Sequence, residues 1–348
     1  MPTIDWDRKT PVRVWENVDA ALFRDAIQPW NEPAILRGLV SHRPAAQAAR
    51  ESSRALTDYL RRFDAGRPVQ AFFGAPEIRG RFFYGADLRS FNFERRDVPL
   101  PRFLDLMHEH EASSEPPYFY AGAIPVPSHL PALPGEIRHG LLDEGVEQLA
   151  SVWLGNRTRT AAHFDLPQNI ACVIGGRRRF IVLPIEQLPN LYVGPLDFTL
   201  AGQAISLVDF LEPDLDRHPR FADAIDAAQV AVLEPGDALY LPSLWWHHVE
   251  ALDPVGAMVN FWWRDGPEYL FTPLLTLFHA LLSLRDMPAR EREAWRVLFD
   301  HYIFQVNGDP WAHVPEAARG LFGELTPEKI QRLRQQLGQS LLGRPPAQ

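Results

Sequence analysis

The sequence predicts a mainly β protein of the jelly-roll class, a sandwich or barrel flanked by other elements on both sides. Short apolar or alternating runs recur throughout residues 117–264, as expected of half-buried strands. Turn-forming segments at 234–237 and 253–256 separate these runs. The 348-residue chain also contains 32 prolines, which argues against a helical bundle.

Short strands in this region follow from the period-two pattern of apolar residues. We expect them at residues 118–122, 149–154, 160–164, 169–174, 180–183, 231–233, 238–241, 245–249 and 258–263. Gly175-Gly176 stands between two of these runs. Both positions of a tight hairpin turn favour positive φ, so the pair predicts a β-hairpin there.

The flanking regions combine other patterns, which gives three expected parts: 1–116, 117–264 and 265–348. In the first part we expect helices at 18–28, 53–63 and 101–109 and strands at 34–36, 69–73 and 82–84. In the last part we expect helices at 269–284, 291–304 and 327–341. The apolar faces of these last helices exceed what a solvated tail needs. They either cover the barrel or form a homodimer contact, and we favour the dimer.

Charge and cysteine content exclude several classes of protein. The net charge is −9 and the only dense basic run is Arg177-Arg178-Arg179, so DNA is not an expected partner and RNA is not favoured. Cys172 is the single cysteine, which excludes a disulfide framework or a cysteine-based zinc site within one chain. Residues 1–17 lack a signal-peptide pattern and no apolar run has membrane-spanning length. We therefore expect a cytoplasmic protein without a membrane partner.

A candidate metal site begins with His163-Phe164-Asp165. In a strand, positions i and i+2 share a face, so the imidazole and the carboxylate would enter the barrel together. A second histidine from a distant strand would complete a 2-His-1-carboxylate triad, which leaves open positions on non-haem Fe(II). The H-x-D spacing is weak evidence by itself, because His248-Val249-Glu250 fits the same pattern.

The third ligand would come from His247 or His248, which follow two tryptophans in a predicted strand. Adjacent residues of a strand face opposite sides of the sheet. Only one of the two histidines can therefore enter the barrel, and the pattern alone leaves the choice open.

Several segments together resemble the JmjC/cupin-8 family of Fe(II)- and 2-oxoglutarate-dependent oxygenases, and within it the asparaginyl hydroxylases. They are residues 160–165, 168–169, 176–179, 236–242, 245–248 and 260–262. The resemblance covers 117–264 in order, and the C-terminal helices are similar to a dimerisation region in that family. Over the N-terminal third the resemblance is only general.

The resemblance implies a double-stranded β-helix (a jelly roll) with a metal held by three residues: His163, Asp165 and His247, the first histidine of its pair. It also implies a 2-oxoglutarate pocket formed by Thr160, Arg178, Tyr120, Asn169, Asn260 and Trp262, with Tyr118 as the alternative to Tyr120. The family usually has lysine where this chain has Arg178. An arginine can bind a carboxylate through two hydrogen bonds and stays charged when buried.

The reaction implied by the resemblance uses O₂ and 2-oxoglutarate to hydroxylate a C–H bond, with succinate and CO₂ as coproducts. We expect a protein or peptide side chain as substrate; a small molecule or modified RNA is the alternative, and demethylation of an N-methyl group would use the same chemistry. Two other classes remain: a metal-binding cupin module without turnover, and a Zn- or Mn-dependent isomerase or epimerase. Neither gives Thr160 and Arg178 a role.

Overall fold

The computed structural model describes residues 4–343, which form fifteen strands and a series of helices. The strands are β1 Thr10–Pro11, β2 Arg13–Glu16, β3 Ala34–Arg37, β4 Pro68–Gly74, β5 Arg81–Phe82, β6 Glu94–Pro99, β7 Tyr118–Pro125, β8 Leu149–Gly155, β9 Arg159–Phe164, β10 Gln168–Gly175, β11 Arg178–Leu183, β12 Gln229–Leu233, β13 Ala238–Leu241, β14 Trp246–Ala251 and β15 Gly256–Trp263. The α-helices are α1 Ala20–Leu22, α2 Gln28–Trp30, α3 Pro44–Glu51, α4 Ser53–Arg61, α5 Leu100–Glu109, α6 Val126–His129, α7 Pro134–Ile137, α8 Phe221–Ala227, α9 Pro273–Ser283, α10 Ala289–Tyr302 and α11 Pro327–Leu342.

The strands form two sheets packed on one shared core, which confirms the predicted jelly-roll class. The first has six strands in the order β1-β12-β11-β14-β9-β5, and the second has nine in the order β2-β3-β13-β10-β15-β8-β7-β4-β6. Apolar side chains of both sheets, including Phe180 and Val249 from the first and Val173 and Leu239 from the second, form one buried cluster. This shared core fixes the distance between the two sheets.

Helices and loops cover the outer faces of the sheets. Phe103 and Met107 of α5 join the core on the outside of the nine-stranded sheet. Trp6, Phe210 and Phe221 cover the outside of the six-stranded sheet. Apolar side chains on both faces of the central strands are therefore buried, as expected of strands that are covered on two sides.

The predicted hairpin at Gly175-Gly176 is wrong. β10 pairs with β13 and β15 in one sheet, whereas β11 pairs with β12 and β14 in the other. The glycines instead allow the chain to cross between sheets. Gly176 has φ +64°, and a Cβ there would lie 2.6 Å from the Val255 carbonyl oxygen, so a larger residue would be strained by backbone angle and by contact.

The N-terminal region contributes strands to the nine-stranded sheet rather than standing apart from it. β3 and β4 occupy the predicted positions and pair with β13 and β7. The predicted strand at 82–84 is shorter, since β5 ends at Phe82 and Tyr84 makes only an isolated bridge. β6, whose residues are mostly charged, was not predicted because it lies at the sheet edge and lacks an apolar alternation.

Contacts within the chain separate a unit that ends at Asp265 from one that begins at Gly266. The second unit contains α9, α10 and α11, close to the predicted positions. Large apolar side chains of these helices are exposed, among them Leu275, Leu282, Trp295, Leu298 and Leu341. Along residues 4–343, every helix is too short or too polar to cross a membrane.

Candidate metal and cosubstrate site

Neighbouring strands bring His163 and His247 face to face. β14 pairs antiparallel with β9, and the two histidines are direct partners in the register. Their ring centroids are 4.3 Å apart. One ligand atom from each of His163, Asp165 and His247 lies within 4.8 Å of the other two, a spacing that one ion can bridge.

Backbone carbonyls orient both imidazoles. Nδ1 of His163 donates to the carbonyl of Ala161 at 2.9 Å, and Nδ1 of His247 donates to the carbonyl of Trp245 at 3.0 Å. Because a carbonyl only accepts, each Nδ1 carries the proton and each Nε2 keeps its lone pair. Such a hydrogen bond on the far nitrogen is characteristic of metal-binding histidines.

Asp165 follows the last residue of β9 and is tied to the segment before β14. Its carbonyl accepts a 2.9 Å hydrogen bond from the backbone N–H of Leu244, and the Ser243 hydroxyl donates to the Leu166 carbonyl at 2.6 Å. The carboxylate is 7% exposed and lies 3.7 Å from Nε2 of His247. The two segments that bear the ligands are thus held together by their main chains.

His247 is buried, and this burial, with the nearby His163, lowers the pKa of His247 to about 4 against the opposing effect of Asp165. The imidazole is therefore neutral near pH 7. A neutral imidazole is the form that can donate a lone pair to a cation.

His248 faces the opposite side of the six-stranded sheet. Its ring stacks on Phe210 with centroids 4.9 Å apart, and burial lowers its pKa to about 3. Its Nε2 is 3.7 Å from Glu250, too far for a hydrogen bond. A register shift lies between His247 and Val249 on this strand. The strand alternation thus separates the two histidines as expected, with His247 next to His163.

Arg178 is buried at 3% exposure without a carboxylate partner among the described residues. Its Nη2 makes one long hydrogen bond, 3.4 Å, to the carbonyl of Trp153, and its Nε lacks a partner within residues 4–343. Burial lowers the pKa of Arg178 to about 10, and Tyr120 opposes that change. With this pKa the guanidinium remains charged near pH 7. A buried charge destabilises the protein unless an ion of opposite charge pairs with it, so an anion is expected beside Arg178.

Tyr120 lies near this arginine and near the Thr160 side chain. Burial raises the pKa of Tyr120 to about 12, while the Thr160 side chain and Arg178 act in the opposite direction. Tyr118, the alternative candidate, instead contacts Gly80, where an added Cβ would lie 3.2 Å from its ring. Of the two tyrosines, the structure places Tyr120 next to the arginine.

The remaining predicted residues line the nine-stranded sheet. Asn260 and Asn169 are buried at 1% and 5% exposure, and Nδ2 of Asn260 donates to Oδ1 of Asn169 at 3.3 Å. Trp262 meets Trp153 edge to face, with centroids 5.7 Å apart. Trp153 was missed by sequence reasoning. Its only signal was its place within a predicted strand.

The flanking arginines of the basic run differ from each other. Arg177 is exposed and pairs with Asp253, as expected of a solvated residue. Arg179 is less exposed: its side chain is 18% exposed and pairs with both Asp7 and Glu250. Residues 6–8 cover this face of the sheet.

The chain belongs to the Cupin-like domain family, whose model matches residues 20–269. This family includes the JmjC oxygenases, in agreement with the resemblance.

The similar curated proteins have different named activities. The chain is 26% identical over 287 residues to a lysine-specific demethylase, JMJ31, from Arabidopsis thaliana; the match covers 73% of this chain and 50% of the relative. It is 27% identical over 270 residues to the human bifunctional peptidase and (3S)-lysyl hydroxylase JMJD7, covering 69% and 79%. It is 25% identical over 279 residues to tRNA wybutosine-synthesizing protein 5 from Danio rerio, covering 76% and 78%. This chain thus spans half the length of the first of these relatives.

Proposed function

We propose that the protein is an Fe(II)- and 2-oxoglutarate-dependent oxygenase that hydroxylates a C–H bond. The observation that carries this proposal is a buried guanidinium without a carboxylate partner in residues 4–343, in the same sandwich as three converging metal-ligand side chains. An isomerase or a plain metal-binding module would need the three ligands but would leave Arg178 buried without a partner. A 2-oxo diacid satisfies both features, since one end can chelate a metal and the other can pair with the arginine.

The donor set fits a ferrous ion. Nε2 of His163 and of His247 would bind it as neutral donors, and Asp165 would supply a negative charge. Bound iron supplies the capacity to activate O₂ and to oxidise a C–H bond at the expense of the 2-oxo acid. The remaining work is done by the protein: the Ala161 and Trp245 carbonyls fix the two rings, and burial keeps the His247 imidazole neutral, so that its Nε2 carries no proton.

The other end of the cosubstrate would be held by Arg178, with the hydroxyls of Tyr120 and Thr160 beside it. The guanidinium neutralises a carboxylate, and both hydroxyls can donate a hydrogen bond to it. Because the high pKa of Tyr120 keeps its proton in place, this residue acts as a donor rather than as a second anion. Asn169 and Asn260 would orient the part of the acid between its ends.

A protein or peptide side chain is the preferred substrate. Two relatives are named for chemistry on lysine, one a demethylase and one a lysyl hydroxylase, so lysine-bearing peptides are the first to test. Modified RNA is the second candidate because another relative is named for tRNA wybutosine synthesis, although a net charge of −9 does not favour a polyanion.

The test is succinate formation from 2-oxoglutarate with Fe(II), ascorbate and O₂, combined with calorimetric binding of 2-oxoglutarate in the presence of Mn(II). We expect both in the wild-type protein, and in Arg178→Met we expect much weaker binding and turnover only at high 2-oxoglutarate concentration. Arg177→Met is the matched control, because its arginine is adjacent but exposed, and it should behave as the wild type. Absence of both turnover and binding in the wild type would refute the oxygenase assignment.

A mass gain of one oxygen in a lysine peptide would support a protein or peptide substrate, and a gain only in RNA would reject that substrate class.

The proposal includes a homodimer formed through α9–α11, whose exposed apolar side chains would be covered by a second copy. Sedimentation at micromolar concentration should give twice the chain mass; a monomer would reject the dimer. A reducing compartment such as the cytoplasm fits the single, buried Cys172.

A further inference from the structure

Trp153 touches most of the groups assigned to the cosubstrate. It lies on β8, directly opposite Met258 of β15, on the nine-stranded sheet. Its ring centroid is 6.2 Å from that of Tyr120 and 5.7 Å from that of Trp262. The indole therefore stands between two side chains of the proposed pocket.

The indole N–H of Trp153 determines how the side-chain amides of Asn260 and Asn169 are oriented. Nε1–H of Trp153 donates to Oδ1 of Asn260 at 2.5 Å. An indole N–H can only donate, so the oxygen of Asn260 must face the tryptophan. The Asn260 NH₂ is then directed to Oδ1 of Asn169 at 3.3 Å. One donor thus fixes the orientation of both amides.

The main chain of the same residue restrains the arginine. The Trp153 carbonyl accepts the only hydrogen bond that the Arg178 side chain makes within the described part of the chain, from Nη2 at 3.4 Å. A displacement of the Trp153 backbone would therefore lengthen or break this hydrogen bond to the guanidinium.

A neighbouring glycine makes room for the indole. A Cβ on Gly122, in β7, would lie 2.9 Å from Cε3 and from Cζ3 of Trp153. Real Cβ contacts are not this short, so a side chain at position 122 would displace the ring. The ring position therefore depends on the glycine, and the ring occupies space that a smaller residue at 153 would leave open.

We propose that Trp153 determines the length of the 2-oxo acid that the site accepts. Its indole closes the pocket on the side of the nine-stranded sheet, and its N–H and carbonyl hold Asn260 and Arg178 at the positions that match one chain length. Trp153 is a specificity-determining residue; it acts by shape and by positioning. This inference rests on the proposed function.

The experiment compares 2-oxoglutarate with 2-oxoadipate, which is one carbon longer, by calorimetry with Mn(II). Trp153→Ala and Trp153→Leu remove the indole that closes the pocket. We expect the affinity for 2-oxoadipate, relative to that for 2-oxoglutarate, to rise at least about tenfold. This is the size of effect that one methylene group has in a pocket that fits its ligand closely. Trp153→Phe keeps most of the wall and removes the N–H, so both acids should weaken by about fivefold with their ratio unchanged. Trp15→Phe, a tryptophan on β2, is the control and should change neither affinity.

Fluorescence gives a second readout. Binding of Mn(II) and 2-oxoglutarate should alter the indole emission of the wild type and of Trp15→Phe by equal amounts, and that of Trp153→Phe by a smaller amount, since Trp262 remains in the proposed pocket. An unchanged acid ratio in folded Trp153→Ala and Trp153→Leu proteins that bind Mn(II) normally would overturn the inference alone. Failure of the wild type to bind either acid would instead remove the proposed function, and the inference with it.

Discussion

Replacement of Arg178 by methionine should change protein stability and cosubstrate binding in opposite directions. Arg178 is 3% exposed and lacks a carboxylate partner among residues 4–343. Methionine has a similar length and no charge, so Arg178→Met removes a desolvated cation while largely filling its space. A buried charge that is unpaired destabilises the folded state.

The size of the stability change follows from the pKa. A decrease from 12.5 to about 10 corresponds to about 3 kcal/mol at 1.36 kcal/mol per pKa unit. We therefore expect Arg178→Met to raise the free energy of unfolding of the ligand-free protein by about 1 to 3 kcal/mol, the lower value allowing for imperfect packing of the thioether. For 2-oxoglutarate, the loss of the charged partner should cost about 2 to 4 kcal/mol, or about 30- to 1000-fold in affinity.

Urea unfolding near pH 7 measures the first quantity and calorimetry with Mn(II) measures the second. Arg178→Lys should fall between the two proteins in cosubstrate affinity because it keeps the charge but loses the paired hydrogen bonds. A destabilised Arg178→Met protein whose 2-oxoglutarate affinity equals that of the wild type would refute the reasoning, since Arg178 would then serve the fold and not the ligand.

The other predictions concern the metal ligands and the pH dependence of stability. Asp165→Ala should abolish metal-dependent turnover and leave the circular dichroism spectrum unchanged; retained activity would show that the carboxylate is dispensable. His247→Ala should weaken Mn(II) binding at least about 100-fold, and His248→Ala by less than about tenfold; the reverse order would exchange their roles. Burial lowers the pKa of His139 to about 4, so the folded protein binds fewer protons than the unfolded chain between pH 6.5 and 4. His139 should lower the stability by about 2 to 3 kcal/mol as the pH decreases through this window, in addition to the effect of the other buried histidines. Urea unfolding at pH 7 and 4.5 should therefore show a smaller decrease in His139→Gln than in the wild type; an equal decrease would rule out this histidine.

The central strands could be predicted from the sequence because their apolar runs are bounded by proline and glycine. β10, β13 and β15 lie within two residues of their predicted positions. The partners of these strands could not be predicted from local patterns. Gly175-Gly176 is an example, because the same two residues allow either a hairpin turn or a crossing between sheets. Which of the two forms depends on the distant strands that pair with β10 and with β11.

Part of the candidate site could likewise be predicted from the sequence. Strand alternation puts His163 and Asp165 on one face, and it requires that His247 and His248 point in opposite directions. Which histidine faces inward depends on the register between β14 and β9, a long-range property. Trp153 could not be recognised, because its contacts with Asn260 and Tyr120 come from strands far apart in the sequence.

The two hydrogen bonds from histidine to backbone have a consequence for attempts to tune the metal. Where a carboxylate supports a ligating histidine, exchange of that carboxylate alters the basicity of the ring. In this protein the supports are the peptide carbonyls of residues 161 and 245, which every substituted side chain would leave in place. To adjust a metal bound by these histidines, one would thus have to change the ligands or the course of the chain, since ordinary point substitutions cannot remove either acceptor.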